Sequence, residues 1–186
     1  MKKIKNLCML AIVALATTTA SAQMDKTVMV GGAAMFPTKN IIENAVNSKD
    51  HTTLVVAVKA ADLVETLQSA GPFTVFAPTN AAFDKLPAGT VENLLKPESK
   101  KTLQTVLTYH VIAGRISAAD VMEKIKAGGG KFMATTVAGT DLTFSLKGKK
   151  VKIMDDNGGT AFVTIADVNQ SNGIIHVIDK VLLPKM

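Results

Sequence analysis

The chain has 186 residues, with 21 Lys and Arg against 15 Asp and Glu, 47% hydrophobic residues, one Cys and no Trp. That length suits one domain whose apolar content can form a core without covalent staples. One Tyr (Tyr109), one Arg (Arg115) and no Trp argue against an aromatic stacking platform for nucleic acid or a guanidinium clamp for phosphate.

Lys2, Lys3 and Lys5 form a basic head, and Leu7 to Ala16 an apolar run too short to span a bilayer comfortably. Ala20-Ser21-Ala22 before Gln23 fits small-x-small cleavage, so residues 1–22 read as a secretory signal peptide and not as a retained anchor. Cys8 lies inside the apolar run without a lipobox and leaves with it. The mature chain then has 164 residues, no thiol, and 18 basic against 15 acidic side chains. Its stability must come from packing despite an oxidising destination.

Residues 23–37 carry Met24, Met29, Met35, Gly31, Gly32 and Pro37 with no sustained period and read as a flexible lead-in. Three methionines suit a soft metal. The alternative, taken here, is an arm that packs them on the domain. From residue 38 to 186 the pattern is that of one domain. Asn40 caps Ile41–Val46, with Ile42, Ala45 and Val46 on one face. Asp50-His51-Thr52-Thr53 opens a second helix with Leu54, Val55 and Val58 inward and His51 exposed. Asp62 to Glu65 has capping-box spacing and starts a third short helix or a restart of the second.

Gly71 to Phe83 organises the rest. Phe73, Val75 and Ala77 alternate with Thr74 and Phe76 in a run apolar on both sides, which suits a strand covered on both faces. Pro78 ends it, and Thr79 is placed to cap a short helix through its hydroxyl. Thr90 caps the next helix and Pro97 starts another. There Leu103, Val106, Leu107 and His110 fall at i, i+3, i+4 and i+7, which puts His110 on the buried stripe. Adjacent helical side chains diverge by about 100°, so Tyr109 points elsewhere, toward the rim of the domain. Val111–Ala113 reads as a short strand, and Ser117 to Asp120 opens a helix that ends in Gly128-Gly129-Gly130.

The period then switches to two. Phe132–Val137, Leu142–Leu146, Val151–Met154, Ala161–Ala166 and Ile174–Val181 read as strands, with Asn157-Gly158 and Asn172-Gly173 as type I′ hairpin signals. Helices followed by a strand meander give an α+β domain.

No histidine pair has metal-binding helical spacing, and no cofactor or metal site is expected. His176, in an apolar strand, reads as a buried hydrogen-bonding post like His110. Asp155-Asp156-Asn157-Gly158 is a fragment of a calcium loop without its distant Glu and reads as a turn. There is no G-x-S-x-G elbow, and Gly128–Gly130 follows a helix where a phosphate cradle precedes one. Asn169-Gln170-Ser171 has the pattern of a glycosylation sequon and is expected bare. Lys147, Lys149, Lys150 and Lys152 on one hairpin either bind an anionic ligand or blunt an exposed edge.

Three stretches resemble the fasciclin (FAS1) domain family in its secreted bacterial single-domain form. Thr74-Val75-Phe76-Ala77-Pro78-Thr79-Asn80-Ala81-Ala82-Phe83 is similar to its first signature block. Leu107 to Ile112 is similar to its tyrosine–histidine motif, and Asn172-Gly173-Ile174-Ile175-His176-Val177-Ile178-Asp179 onward to its second block. The likeness implies a β-wedge of two packed sheets with helices on one side. It also implies a non-catalytic role in adhesion or matrix binding; the leader sends the chain to the periplasm or outside the cell, and a monomer is expected. The partner would be a surface or matrix protein or, alternatively, a small ligand or anionic glycan. From animal members it carries receptor contact onto Tyr109, His110, Asp167 and Val168.

One expectation belongs to this reading alone. Amino-terminal sequencing of the exported protein should begin at Gln23, and an intact Met1 on that protein would overturn the leader assignment.

Overall fold

A computed structural model describes residues 27–185, so the leader and Met24 lie outside the described residues. A short hairpin, β1 (Val28–Val30) and β2 (Ala33–Met35), comes first. The helical half is α1 (Ile41–Ala45), α2 (Thr52–Ala60), α3 (Val64–Gln68), α4 (Asn80–Phe83), α5 (Thr90–Leu94) and α6 (Lys100–Tyr109). It is interrupted by β3 (Phe73–Pro78). Then come β4 (Val111–Ala113), α7 (Ala118–Ala127), β5 (Lys131–Thr135), β6 (Asp141–Lys147), β7 (Lys150–Met154), β8 (Thr160–Gln170) and β9 (Gly173–Ile178).

The strands join in the order β4-β3-β9-β8-β7-β6-β5, with β3 and β9 parallel and the other neighbours antiparallel. β8 turns the corner. Residues 160–162 pair with β7 and residues 163–170 with β9, through register shifts that end at Asp167, whose φ is 58°. Such irregularities bend a strand and sharpen its twist. The sheet therefore folds into two packed halves, a wedge whose outer strands meet where Val137 N–H donates to the Val111 carbonyl at 2.8 Å.

Side-chain alternation on β3 and β9 sorts the core in two. Val75, Ala77, Ile175 and Val177 face α1–α6, with Leu54, Val58, Leu103 and Leu107 against them. Phe76 and Ile178 face into the wedge, among Tyr109, Phe144, Ile153 and Leu182, where Val121 and Ile125 of α7 close the opening. The apolar run read from Phe73 to Ala77 is thus a strand dry on both faces.

Several local readings change. The stretch 28–35 is not a loose arm: turns at Gly31 and Gly32 let it pair with itself, burying Val30 and Met35 and leaving Met29 exposed. On α1, Ile41 and Asn44 are buried and Val46 is exposed, because the helix ends at Ala45 and the Asn44 amide turns inward to the Phe36 backbone. Asp62 has φ 55°, outside the extended backbone an N-cap needs, and its carboxylate pairs with Lys100. Thr79 holds the N-cap position without a hydroxyl cap bond, and Gly89, with Thr90 as first helical residue, caps α5. No type I′ turn forms at Asn172-Gly173, since neither residue has positive φ. Gly173 is needed for another reason: a Cβ there would sit 2.2 Å from the Phe73 carbonyl oxygen across the parallel ladder.

Phe76 is 2% exposed and packs its ring 5.4 Å from Phe144 and 5.6 Å from His176. Phe76→Ala should lower the unfolding free energy by about 3–5 kcal/mol, because neither sheet half can close the cavity. Lys149→Ala, on an exposed turn, should change it by less than about 0.5 kcal/mol. Denaturant melts compare the two, and coincident midpoints would contradict a two-faced core around β3.

Candidate functional site

The residues singled out by motif meet around β3 and β9, most of them buried and Thr79, Asn80, Asp167 and Asp179 half-buried. His110 follows the last turn of α6 and is buried. Its Nδ1 lies 2.7 Å from the Val106 carbonyl and its Nε2 accepts the Leu182 N–H at 3.0 Å. His176, buried on β9, is wired the other way round: Nε2 lies 2.9 Å from the Ile116 carbonyl and Nδ1 accepts the Asp167 N–H at 3.3 Å. Each ring must donate at one nitrogen and accept at the other, which fixes the neutral form in opposite tautomers. Burial holds the His110 imidazole down at about 4, with the Val106 carbonyl and Asp155 offsetting part of that, and lowers His176 in the same way.

Tyr109 does not lie at the rim. It is 0% exposed, in the wedge core. Its hydroxyl donates to the Asp141 carbonyl at 3.2 Å and accepts the Asp156 N–H at 3.0 Å, joining the β5–β6 and β7–β8 loops. Burial pushes its phenol up to about 12, although the Asp156 N–H works against this. The divergence of adjacent side chains on α6 does place Tyr109 and His110 in different surroundings, but both are covered. Neither can touch a partner while the domain is folded.

Of the acidic-aliphatic pair, Val168 is internal and Asp167 is half-buried. Val168 is 1% exposed, and Asp167 Oδ1 accepts the Ala118 N–H at 2.8 Å, capping α7 from the β8 bend beside the Ser117–Asp120 capping box. The signature residues act in the same manner. Thr74 Oγ1 donates to the Gly114 carbonyl and accepts the Ile116 N–H. Asn80 Oδ1 takes the Thr53 N–H at the start of α2, and its amide donates to Lys49. Pro78 closes β3 and Phe83 packs in the helical core. Asn172 joins Ile41 N–H of α1 to the Leu67 and Ser69 carbonyls at the end of α3. Asp179 Oδ1 takes the Phe162 N–H. Asp155, in the fragment read as a turn, accepts the Asn157, Gly159 and Leu183 N–H groups.

Two residues escaped the sequence reading. His51 is 3% exposed, where exposure was expected. It is buried at the start of α2, with Nδ1 2.9 Å from Ser48 Oγ and Nε2 without a hydrogen-bond partner among the described residues. Burial lowers its pKa. No local signal marks it, because the segments that cover it come from other parts of the chain. The second is Lys131 on β5, which pairs opposite Ser145, itself opposite Lys152. Lys147 pairs opposite Lys150 and lies over the Phe162 ring at 5.7 Å. The outer face of the second sheet half is thus a lysine row of Lys131, Lys147, Lys150 and Lys152, with Lys149 in the adjoining turn. None of them forms an ion pair with a described carboxylate. The single arginine is engaged, its guanidinium donating to Gln170 O and Asn169 Oδ1. Among the described residues no group of His, Cys, Asp and Glu could hold a metal ion.

A family model described as the Fasciclin domain matches residues 49–184. Protein sll1483 of Synechocystis is 50% identical over 172 residues, covering 91% of this chain and 88% of the relative. Immunogenic protein MPB70 of Mycobacterium bovis is 38% identical over 145 residues, covering 75% and 66%. Cell surface glycolipoprotein MPB83 of the same species is 40% identical over 123 residues, covering 66% and 48%. Among solved structures, a FAS1 domain pair from the insect cell adhesion molecule Fasciclin I aligns with a TM-score of 0.57 at 25% identity. That match covers 70% of this chain and 43% of the other.

The buried histidines generate a pH dependence. Their folded pKa values lie below the unfolded value of 6.5, so their contribution is complete above that pH. As pH falls toward about 4, the unfolded chain takes up protons that folded His110 refuses, and stability drops, by on the order of 3 kcal/mol for His110 alone. Urea midpoints measured between pH 7 and 4 should fall in wild type and fall less steeply in His110→Gln. Parallel curves would remove His110 as the source.

Proposed function

The chain belongs to the fasciclin domain family, and from that premise we propose that it is an exported, non-catalytic interaction module that attaches to surface or matrix components. The observation that carries this reading is the distribution of polar chemistry. The side chains of the family motifs are occupied within the fold, so contact with a partner falls to the outer surface. No described helix is long and apolar enough to cross a membrane. The names of the mycobacterial relatives and of the insect neighbour support a place at the cell surface or beyond, in the periplasm or outside the cell.

Within that reading the lysine row is the contact face, and its partner is an acidic protein surface or an anionic glycan. Lysines repeated across three strands of one sign raise the local concentration of anions, with a strong dependence on salt. They also protect an exposed sheet from edge pairing, which is why charge and binding must be separated by experiment. Tyr109, His110, Asp167 and Val168 would then serve the module by holding its shape.

The test is retention of envelope and matrix extracts, and of a panel of anionic and neutral glycans, by the immobilised exported chain. Wild type should retain anionic material with salt-sensitive affinity. A Lys131→Glu, Lys150→Glu, Lys152→Glu variant should lose roughly tenfold or more while keeping its melting midpoint. Equal retention by the triple variant would move the contact face elsewhere, and turnover of a captured glycan would overturn the non-catalytic assignment.

A further inference from the structure

A cavity of about 70 Å³ separates the helical layer from the inner face of β3 and β9. Its lining begins at Val30 and Met35 of the amino-terminal hairpin, passes Leu54 and Val58 of α2, and continues to Thr108 of α6 and to Val137. A void of this size shared among such distant elements is narrow and extended rather than round. Val137 is 47% exposed and Thr66 of α3, also on the lining, is exposed, so the channel reaches the surface at these residues.

What the channel can recognise follows from its polar atoms. His110 has both ring nitrogens engaged, and Thr108 Oγ1 donates to the Gln104 carbonyl. His51 uses Nδ1 on Ser48, and its Nε2 is buried without a partner. The remaining lining is aliphatic, with Phe73, Phe76 and the exposed Thr66. At roughly 10–15 Å³ per water site the volume would take several waters, yet each would need two to four hydrogen-bond partners and the walls offer only His51 Nε2. Water is a poor occupant here, and so is any polar or charged ligand. A dry, extended passage that reaches the surface fits a flexible chain better than a ring.

We propose that this channel binds a linear alkyl chain, the tail of a fatty acid or single-chain lipid, with the polar head left at the Thr66–Val137 mouth. This site is separate from the lysine row on the opposite sheet half, so it stands or falls apart from the surface-interaction reading. Binding is carried by burial of methylenes and needs no charged contact. Shortening the chain by one buried methylene should therefore weaken affinity about fourfold, corresponding to about 0.8 kcal/mol.

The experiment is a titration of the methyl-labelled exported chain, followed by methyl proton–carbon correlation spectra, with dodecanoate, 1-dodecanol and butyrate. Dodecanoate and 1-dodecanol should both shift the methyls of Ile42, Leu54 and Ile175 saturably, while those of Leu142 and Ile153 in the wedge core stay fixed and butyrate does nothing. Val58→Phe fills the channel and should weaken dodecanoate binding by roughly tenfold or more. Leu63→Trp, at a half-buried position on the lining, provides the same test if the first variant does not fold. Dodecanoyl-lysophosphatidylcholine, added below its micellar concentration, separates the two sources. Binding comparable to dodecanoate points to lipid tails, and exclusion with dodecanoate still bound points to free fatty acids. Four results would overturn the proposal: shifts confined to exposed Met29 and Met133, binding of dodecanoate without 1-dodecanol, no dependence on chain length, or unchanged affinity in the filled variants.

Discussion

The parallel pairing of β3 with β9, dry on both faces, is the constraint on which the rest of the structure depends. Two adjacent strands without a wet face expose no backbone group to water along their length, and every polar atom near them needs a partner from within the protein. Helices α1–α6 supply the cover on one face, and the folded-over half of the sheet with α7 supplies it on the other. Close approach of the two chains also requires Gly173, where any side chain would collide with the Phe73 backbone.

From that constraint comes the use made of polar motif residues. A bent β8 leaves backbone groups off the ladder, and His176 accepts one of them from Asp167 while the Asp167 carboxylate caps α7. At the end of α6, His110 accepts the Leu182 N–H from beyond β9, and Tyr109 joins the Asp141 carbonyl at the start of β6 to the Asp156 N–H. Buried imidazoles and a phenol suit this work because each can donate and accept while neutral. The cost is sensitivity to acid, since a second proton on either ring replaces an acceptor with a donor facing an N–H.

A consequence for function is that the two kinds of surface in this protein are separated. The interior of the wedge is packed around aromatic rings, the helical layer retains an apolar channel, and the charged outer face of β5–β7 carries lysines without carboxylate partners among the described residues. Attachment through charge and capture of an apolar chain would use different parts of the molecule and need not interfere. Both rely on the rigidity of the same central strands.

The sequence by itself determined the kinds of element and much of their order. Period-three and period-two patterns, the caps at Asn40 and Ser117 and the proline at residue 78 are local, and neighbours in the chain settle them. The double-sided run at Phe73–Ala77 and the stripe carrying His110 were legible for the same reason, and so was the family likeness in its three blocks. Tertiary structure alone decided what covers each element. Tyr109 at a helix end looked free, yet loops from the later meander close over it. His51 at a helix start looked exposed, yet it lies within the helical core. The hairpin at 28–35 and the role of Asn172 needed partners from remote segments, as did the lysine row completed by Lys131. Local propensity reports the conformation of a segment. Burial depends on contacts between segments far apart in the chain, whose pairing no short window contains.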